Sequence, residues 1–209
     1  MNINGTIENY LDELSSNSPT PGGGNVSALC GALAASLGTM VCSLTIGKKK
    51  YHEVETEMMK LRNKLGIYKE HFIELAGKDN DAFNEVMEAY KLPTETETDR
   101  TKRLIKIEET TLKAAKVPAE VMNYCNEVIP LIKTIAEKGN QNSVSDAGVA
   151  ALLVCTSAEG AYLNVHINCL SIKNNIEARE ILRNAKSMID IIKSETNLIV
   201  KKIIDGLKT

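Results

Sequence analysis

Four groups of residues in this 209-residue sequence are of types that can do chemistry on a charged small molecule. The first is the run Ser18-Pro19-Thr20-Pro21-Gly22-Gly23-Gly24-Asn25. Three glycines ahead of a helix let bare backbone N–H groups approach a ligand's negative charge. On spacing alone the run reads equally well as a flexible tight turn, being neither a P-loop nor a G-x-G-x-x-G turn. The second group is Lys48-Lys49-Lys50, three adjacent point charges suited to a polyanionic tail. Its plainer reading is a cationic complement to a helix C-terminus, worth ~0.3–1 kcal/mol.

The third is Asp79, which falls inside an apolar stripe. Tyr51, Val54, Met58, Leu61, Leu65, Tyr68, Phe72 and Leu75 recur in alternating steps of three and four, the seam of a left-handed helical bundle. The next seam positions are Asp79, Ala82, Val86 and Ala89. An ionised carboxylate buried there without a partner would cost several kcal/mol, so Asp79 is paired, protonated, facing a ligand cavity, or turned to solvent by a bend at Gly77. The fourth group is Asn140-Gln141-Asn142-Ser143-Val144-Ser145-Asp146. Asp146 lies in a first helical turn, where the helix dipole favours an anion; it either stabilises the helix or faces a cation. Asn164 and Asn168, one turn apart downstream, either join helices or read a polar heterocycle.

The elements that must position these groups read as helical almost throughout, with no period-2 alternation. The pattern predicts a short helix over Thr6–Ser15 and a loop over Ser16–Gly24. A second helix follows, capped by Asn25 and ended by Gly47. A long helix is expected from Tyr51 to Tyr90, about 60 Å at 1.5 Å per residue, closed by Leu92-Pro93. Thr94-x-x-Glu97 offers a capping box for a helix to about Lys116. Pro118 suits the first position of another, which Pro130 kinks or restarts and Gly139 ends. Ser145 caps a helix to about Ile172, and a last one covers Glu177–Leu207. These elements make an all-α antiparallel bundle of long helices in one domain over residues 1–209.

Composition narrows the functional classes. Charges nearly cancel at a formal −2, basic residues are dispersed, and aromatics are 4%, which argues against a nucleic-acid platform. Five cysteines without C-x-x-C spacing read as buried thiols of a reducing compartment. The three histidines have no ligand-like spacing, so no metal is expected. Val26–Ile46 is uncharged and long enough to cross a membrane, but its many small residues fit a central buried helix better. With no leader in Met1–Gly5, the expectation is a cytoplasmic protein binding neither membrane nor nucleic acid.

Several of these segments, taken in order, resemble the cyclodeaminase/cyclohydrolase family of folate enzymes. They are Ser18–Asn25, Gly47-Lys-Lys-Lys-Tyr51, Asp79-x-x-Ala82-Phe83, Lys116-Val-Pro118, Gly139–Ala147 and Ala161–Asn168. The resemblance implies an all-helical homodimer or larger homo-oligomer acting on tetrahydrofolate one-carbon derivatives, polyglutamylated forms included, with no tightly bound cofactor. It implies one of two reactions. A cyclodeaminase closes 5-formiminotetrahydrofolate to 5,10-methenyltetrahydrofolate and releases ammonia; a cyclohydrolase opens the methenyl bridge with water to give 10-formyltetrahydrofolate. These residues include no formiminotransferase domain, so that activity is expected from a separate polypeptide. A non-catalytic helical binding protein is the reading from a different class. With the family in view, Asp79 and Asp146 are the catalytic candidates, Asp79 as proton shuttle and Asp146 as cation stabiliser or base. Substrate binding falls to Gly22, Gly23, Gly24, Ser27, Lys48, Lys49, Lys50, Asn142, Ser145, Asn164 and Asn168.

Overall fold

In the computed structural model of the chain, residues 6–172 and 174–207 are described; Met1–Gly5, read above for a leader, lie outside them. The described residues form six α-helices: α1 (Ile7–Leu14), α2 (Gly23–Thr45), α3 (Glu55–Tyr90), α4 (Glu97–Lys138), α5 (Val144–Ser171) and α6 (Ile176–Leu207). Short 3-10 turns at Lys49–Val54 and Gln141–Ser143 precede α3 and α5. The all-α bundle is as the sequence predicts.

Helix α2 is central, packed on α3, α5 and α4. Its fit to α3 follows from three glycines seven residues apart. A Cβ added at Gly38 would lie 2.8 Å from Leu65 Cδ1, one at Gly31 2.5 Å from Phe72 Cε1, and one at Gly24 2.5 Å from Asp79 Cγ. The two helices are therefore antiparallel and the heptad seam of α3 rests on a glycine groove of α2. Met58, Leu65, Phe72 and Leu75 are buried there. By length and composition α2 and the segment Gln141–Ser171 are apolar enough to cross a membrane, yet half of the α2 window is buried within the fold.

Several predicted boundaries move. Tyr51 lies in the 3-10 turn and not on the long helix, which runs unbroken through Gly77. Helix α2 starts two residues before Asn25, with Gly22 at its N-cap, because the Asn25 side chain is drawn into contacts with α1 and α3. The capping box that forms is Thr96 with Asp99, not Thr94 with Glu97, since the Thr94 carbonyl is held outside the helix by Arg100 Nε at 2.8 Å. Ser145 sits inside the first turn of α5 behind Ser143, because the Asn140 side chain starts the preceding 3-10 turn by accepting from Asn142 N–H.

The largest departure is α4, one helix of 42 residues with Pro118 and Pro130 inside it. A proline removes the N–H that would bond the carbonyl four residues back, and costs about 3 kcal/mol in a helix interior. Buried side chains on both sides of the prolines, among them Ala115, Met122, Val128 and Ile132, keep the helix continuous by tertiary packing. The five cysteines are free: Cys42, Cys125 and Cys169 are buried, Cys30 and Cys155 half-buried.

Candidate active site at the head of helix α2

The Asp79 carboxyl occupies the seam position one heptad beyond Phe72 and lies directly on the Cα of Gly24. Only glycine leaves room for it there. It makes no salt bridge among the described residues and is half-buried. Burial pushes its pKa up from the ordinary carboxylate value, and the nearby backbone N–H of Asn25 partly offsets that effect. The carboxyl thus faces the first turn of α2, where free N–H groups and the helix dipole favour negative charge.

Asn25 is fully buried and staples three helices. Its Nδ2 donates to Ala76 O at 2.6 Å and to Asn80 Oδ1 at 3.4 Å on α3, and its Oδ1 accepts from the Tyr10 hydroxyl of α1 at 2.8 Å. Neither Tyr10 nor the structural task of Asn25 is evident in the sequence reading. The one available signal is an asparagine placed after glycines inside an otherwise small and apolar helix.

Helix α5 closes the other side. A Cβ on Gly23 would stand 3.6 Å from Asn164 Nδ2, so this amide borders the same helix head. Asn164 Nδ2 donates to Gly160 O at 2.9 Å, and its Oδ1 accepts no hydrogen bond among the described residues. Ser27 is buried; its hydroxyl donates to Gly23 O at 2.6 Å and packs on Gly160. Asn168 donates to Ala114 O at 3.2 Å. That carbonyl is the one Pro118 leaves without its helical donor, so Asn168 completes the proline-containing stretch of α4.

The remaining candidates lie at the opposite end of α2. Asn140 N–H donates to Thr45 Oγ1 at 2.8 Å, Asn140 Nδ2 to Leu44 O at 3.0 Å, and Gln141 N–H to the Tyr51 hydroxyl oxygen at 3.0 Å. These bonds tie Lys48, Lys49 and Lys50 to the turn carrying Asn142, Ser145 and Asp146. The lysines and Asn142 are exposed, and the lysines make no ion pair among the described residues. Gly24 and Thr45 are separated along α2 by about 32 Å at 1.5 Å per residue. Within one chain, Asp79 and Asp146 therefore do not meet. The sequence candidates form two clusters, a carboxyl–amide cluster at the head of α2 and a cationic one at its tail.

The head cluster can hold a proton on a desolvated carboxyl and present amide donors and acceptors beside it. The formiminotransferase-cyclodeaminase family profile matches residues 6–187. A methenyltetrahydrofolate cyclohydrolase of Methylorubrum extorquens is 39% identical over 206 residues, covering 99% of this chain and 97% of that protein. The mouse formimidoyltransferase-cyclodeaminase is 28% identical over 195 residues, and this chain spans 36% of its length. Among solved structures, formiminotetrahydrofolate cyclodeaminase from Thermotoga maritima superposes with a TM-score of 0.80 at 28% identity, covering 96% of this chain and 98% of that one. Sequence and fold agree over nearly the whole length, and the chain belongs to the formiminotransferase-cyclodeaminase family.

Proposed function

We propose that the chain is a folate one-carbon enzyme that closes 5-formiminotetrahydrofolate to 5,10-methenyltetrahydrofolate with release of ammonia, and that Asp79 carries the proton. The observation that carries this reading is the half-buried Asp79 carboxyl seated on Gly24 at the head of α2. In the reaction the N10 nitrogen adds to the protonated formimino carbon. Asp79 takes the proton from N10 and passes it to the former imino nitrogen, whose bond to carbon breaks as ammonia leaves. The positive charge starts on the formimino group, passes to N10 and then to the departing ammonium while the carbon is tetrahedral, and ends delocalised over the N5–CH–N10 bridge, where the ionised carboxylate stabilises it. The amide of Asn164 reads the pterin edge.

The second reading is cyclohydrolase, favoured by the 39% identity to the Methylorubrum extorquens protein. There Asp79 takes a proton from water as the oxygen adds to the methenyl carbon, and returns it to N5 as the C–N5 bond opens; the remaining hydroxyl proton goes to solvent as the formyl C=O forms. One experiment separates the two. Purified protein is mixed with each folate while ammonia and the near-ultraviolet methenyl absorbance are followed. Ammonia release with rising absorbance supports the first reading, and loss of absorbance without ammonia the second. Neither change, with folded protein, leaves a non-catalytic binding protein.

We further infer a homodimer or larger assembly with sites shared between copies. The outer faces of the neighbouring helices α2 and α5 expose Leu33, Met40, Leu44, Val149, Leu152 and Leu163, and α2 carries no charge. A two-fold axis through this face sets the α2 helices antiparallel, bringing the lysine end of one copy beside the Asp79 end of the other. Cation and carboxyl then serve one folate, the lysines holding its glutamate tail, polyglutamylated forms included. A separate formiminotransferase would supply the formimino substrate.

A further inference from the structure

Helix α1 buries none of its residues; Ile7 is 80% exposed and Leu11 53%. Yet one of its side chains reaches the centre of the site. The Tyr10 hydroxyl donates to Asn25 Oδ1 at 2.8 Å across a part-buried path, while the other end of the same amide is fixed by Ala76 O and Asn80 Oδ1. Asn25 is the third residue of α2, so fixing its side chain from two helices fixes the plane of the first turn. The Asp79 carboxyl rests on Gly24 of that same turn, and the two α3 residues that the Asn25 amide holds, Ala76 and Asn80, flank it in sequence.

We infer that Tyr10 is a positioning residue: through Asn25 it seats the first turn of α2 against the stretch of α3 that carries the Asp79 carboxyl. The inference rests on the reading that Asp79 carries the proton. The surroundings leave Tyr10 and Asn25 as the means of control. From α1 the nearby titratable groups are Tyr10 and Glu13, and from α2 Cys30. On α3, Lys78 is paired with Glu74 and Asp81 is exposed. Helix α5 presents the uncharged Asn164. Among the described residues, no charged side chain contributes to the shift of Asp79.

The test is Tyr10→Phe, which keeps the ring and removes the hydroxyl. Turnover of 5-formiminotetrahydrofolate is measured against pH, and the Asp79 carboxyl is titrated directly by isotope-edited infrared spectroscopy, with Asp79→Asn assigning the band. Without the clamp Asn25 loses its orientation and the first turn of α2 its seat on α3, so the free N–H groups there favour the carboxylate less and the carboxyl binds its proton more tightly. The expected result is a kcat lower by about tenfold or more, KM within about twofold, and an acidic limb of the profile that moves to higher pH together with the Asp79 band. An unmoved band overturns the inference whatever happens to turnover, including a uniform loss from weakened folding. If Asp79→Asn stays fully active, the proton-carrying reading fails instead, and the band still reports whether Tyr10 positions the carboxyl.

Discussion

Gly24 and Asp79 stand in the relation that Gly31 and Phe72 have one heptad away, a seam side chain seated on a glycine of the facing helix. The same groove that elsewhere receives an aromatic ring here receives a carboxyl. The site is thus an extension of the core, placed where α2 ends and its N–H groups become available.

This predicts opposite outcomes for two glycine substitutions. Gly24→Ala puts a methyl group 2.5 Å from Asp79 Cγ, so the carboxyl must move from its seat at the head of α2. Activity should fall by at least about 100-fold, with a stability cost of ~1–3 kcal/mol from overpacking. Gly77→Ala, where nothing lies within 4 Å of the added atom, should stabilise α3 by roughly 0.5–1 kcal/mol with activity intact. Thermal melts and turnover assays of the two variants check this, and a fully active Gly24→Ala would remove the need for close approach.

Asp79→Asn should gain stability while losing turnover. The folded state raises the Asp79 pKa through burial, so folding favours the protonated form. Stability linked to this group is fully present below the unfolded value of about 4 and is lost as pH rises through the raised folded value. The neutral amide carries no such loss. The melting temperature of Asp79→Asn should therefore exceed that of the unsubstituted protein at neutral pH, and the gap should close near pH 4. Turnover should fall by about 100-fold or more. A variant less stable at every pH would mean the carboxylate is better paired than its surroundings indicate.

Much of this arrangement was legible in the sequence. The α3 stripe located the seam, and Asp79 stood out because a carboxylate broke an apolar pattern. The glycines at 24, 31 and 38 carry the matching heptad, but it shows only when they are set against the facing helix. What periodicity does not encode is which end of a helix each group joins. Asp79 and Asp146 are both acids in a helical frame, and only the antiparallel course of α2 against α3 and α5 puts them apart. The new helix expected to start at Pro118 and the restart offered at Pro130 do not occur, for a related reason. The donor that replaces the missing N–H at Pro118 comes from Asn168, 50 residues away in sequence.

That replacement predicts a coupled pair. Asn168→Ala leaves the Ala114 carbonyl unsatisfied and should cost ~1–3 kcal/mol. In a Pro118→Ala background a backbone N–H returns to bond this carbonyl, so the same substitution should cost less by about 1 kcal/mol or more. Chemical denaturation of the four proteins gives the cycle. Equal costs in both backgrounds would free Asn168 from this structural task and return it to the substrate.

The shared site predicts a complementation that no single chain shows. Chains with Lys48, Lys49 and Lys50 changed to Ala keep Asp79 and should turn over folate, but without preference for polyglutamylated over monoglutamate substrate. Asp79→Asn chains keep the lysines and should be inactive. When the two are unfolded together and refolded as a mixture, about half of the dimers are hybrids. Each hybrid holds one site with an intact carboxyl from one copy and intact lysines from the other, so polyglutamate preference should return in the mixture. If the lysines instead serve the chain that carries them, active sites in the hybrid still lack them and no preference appears. Native mass spectrometry of the mixture confirms that hybrids formed, and their presence without restored preference would place the two clusters in separate roles.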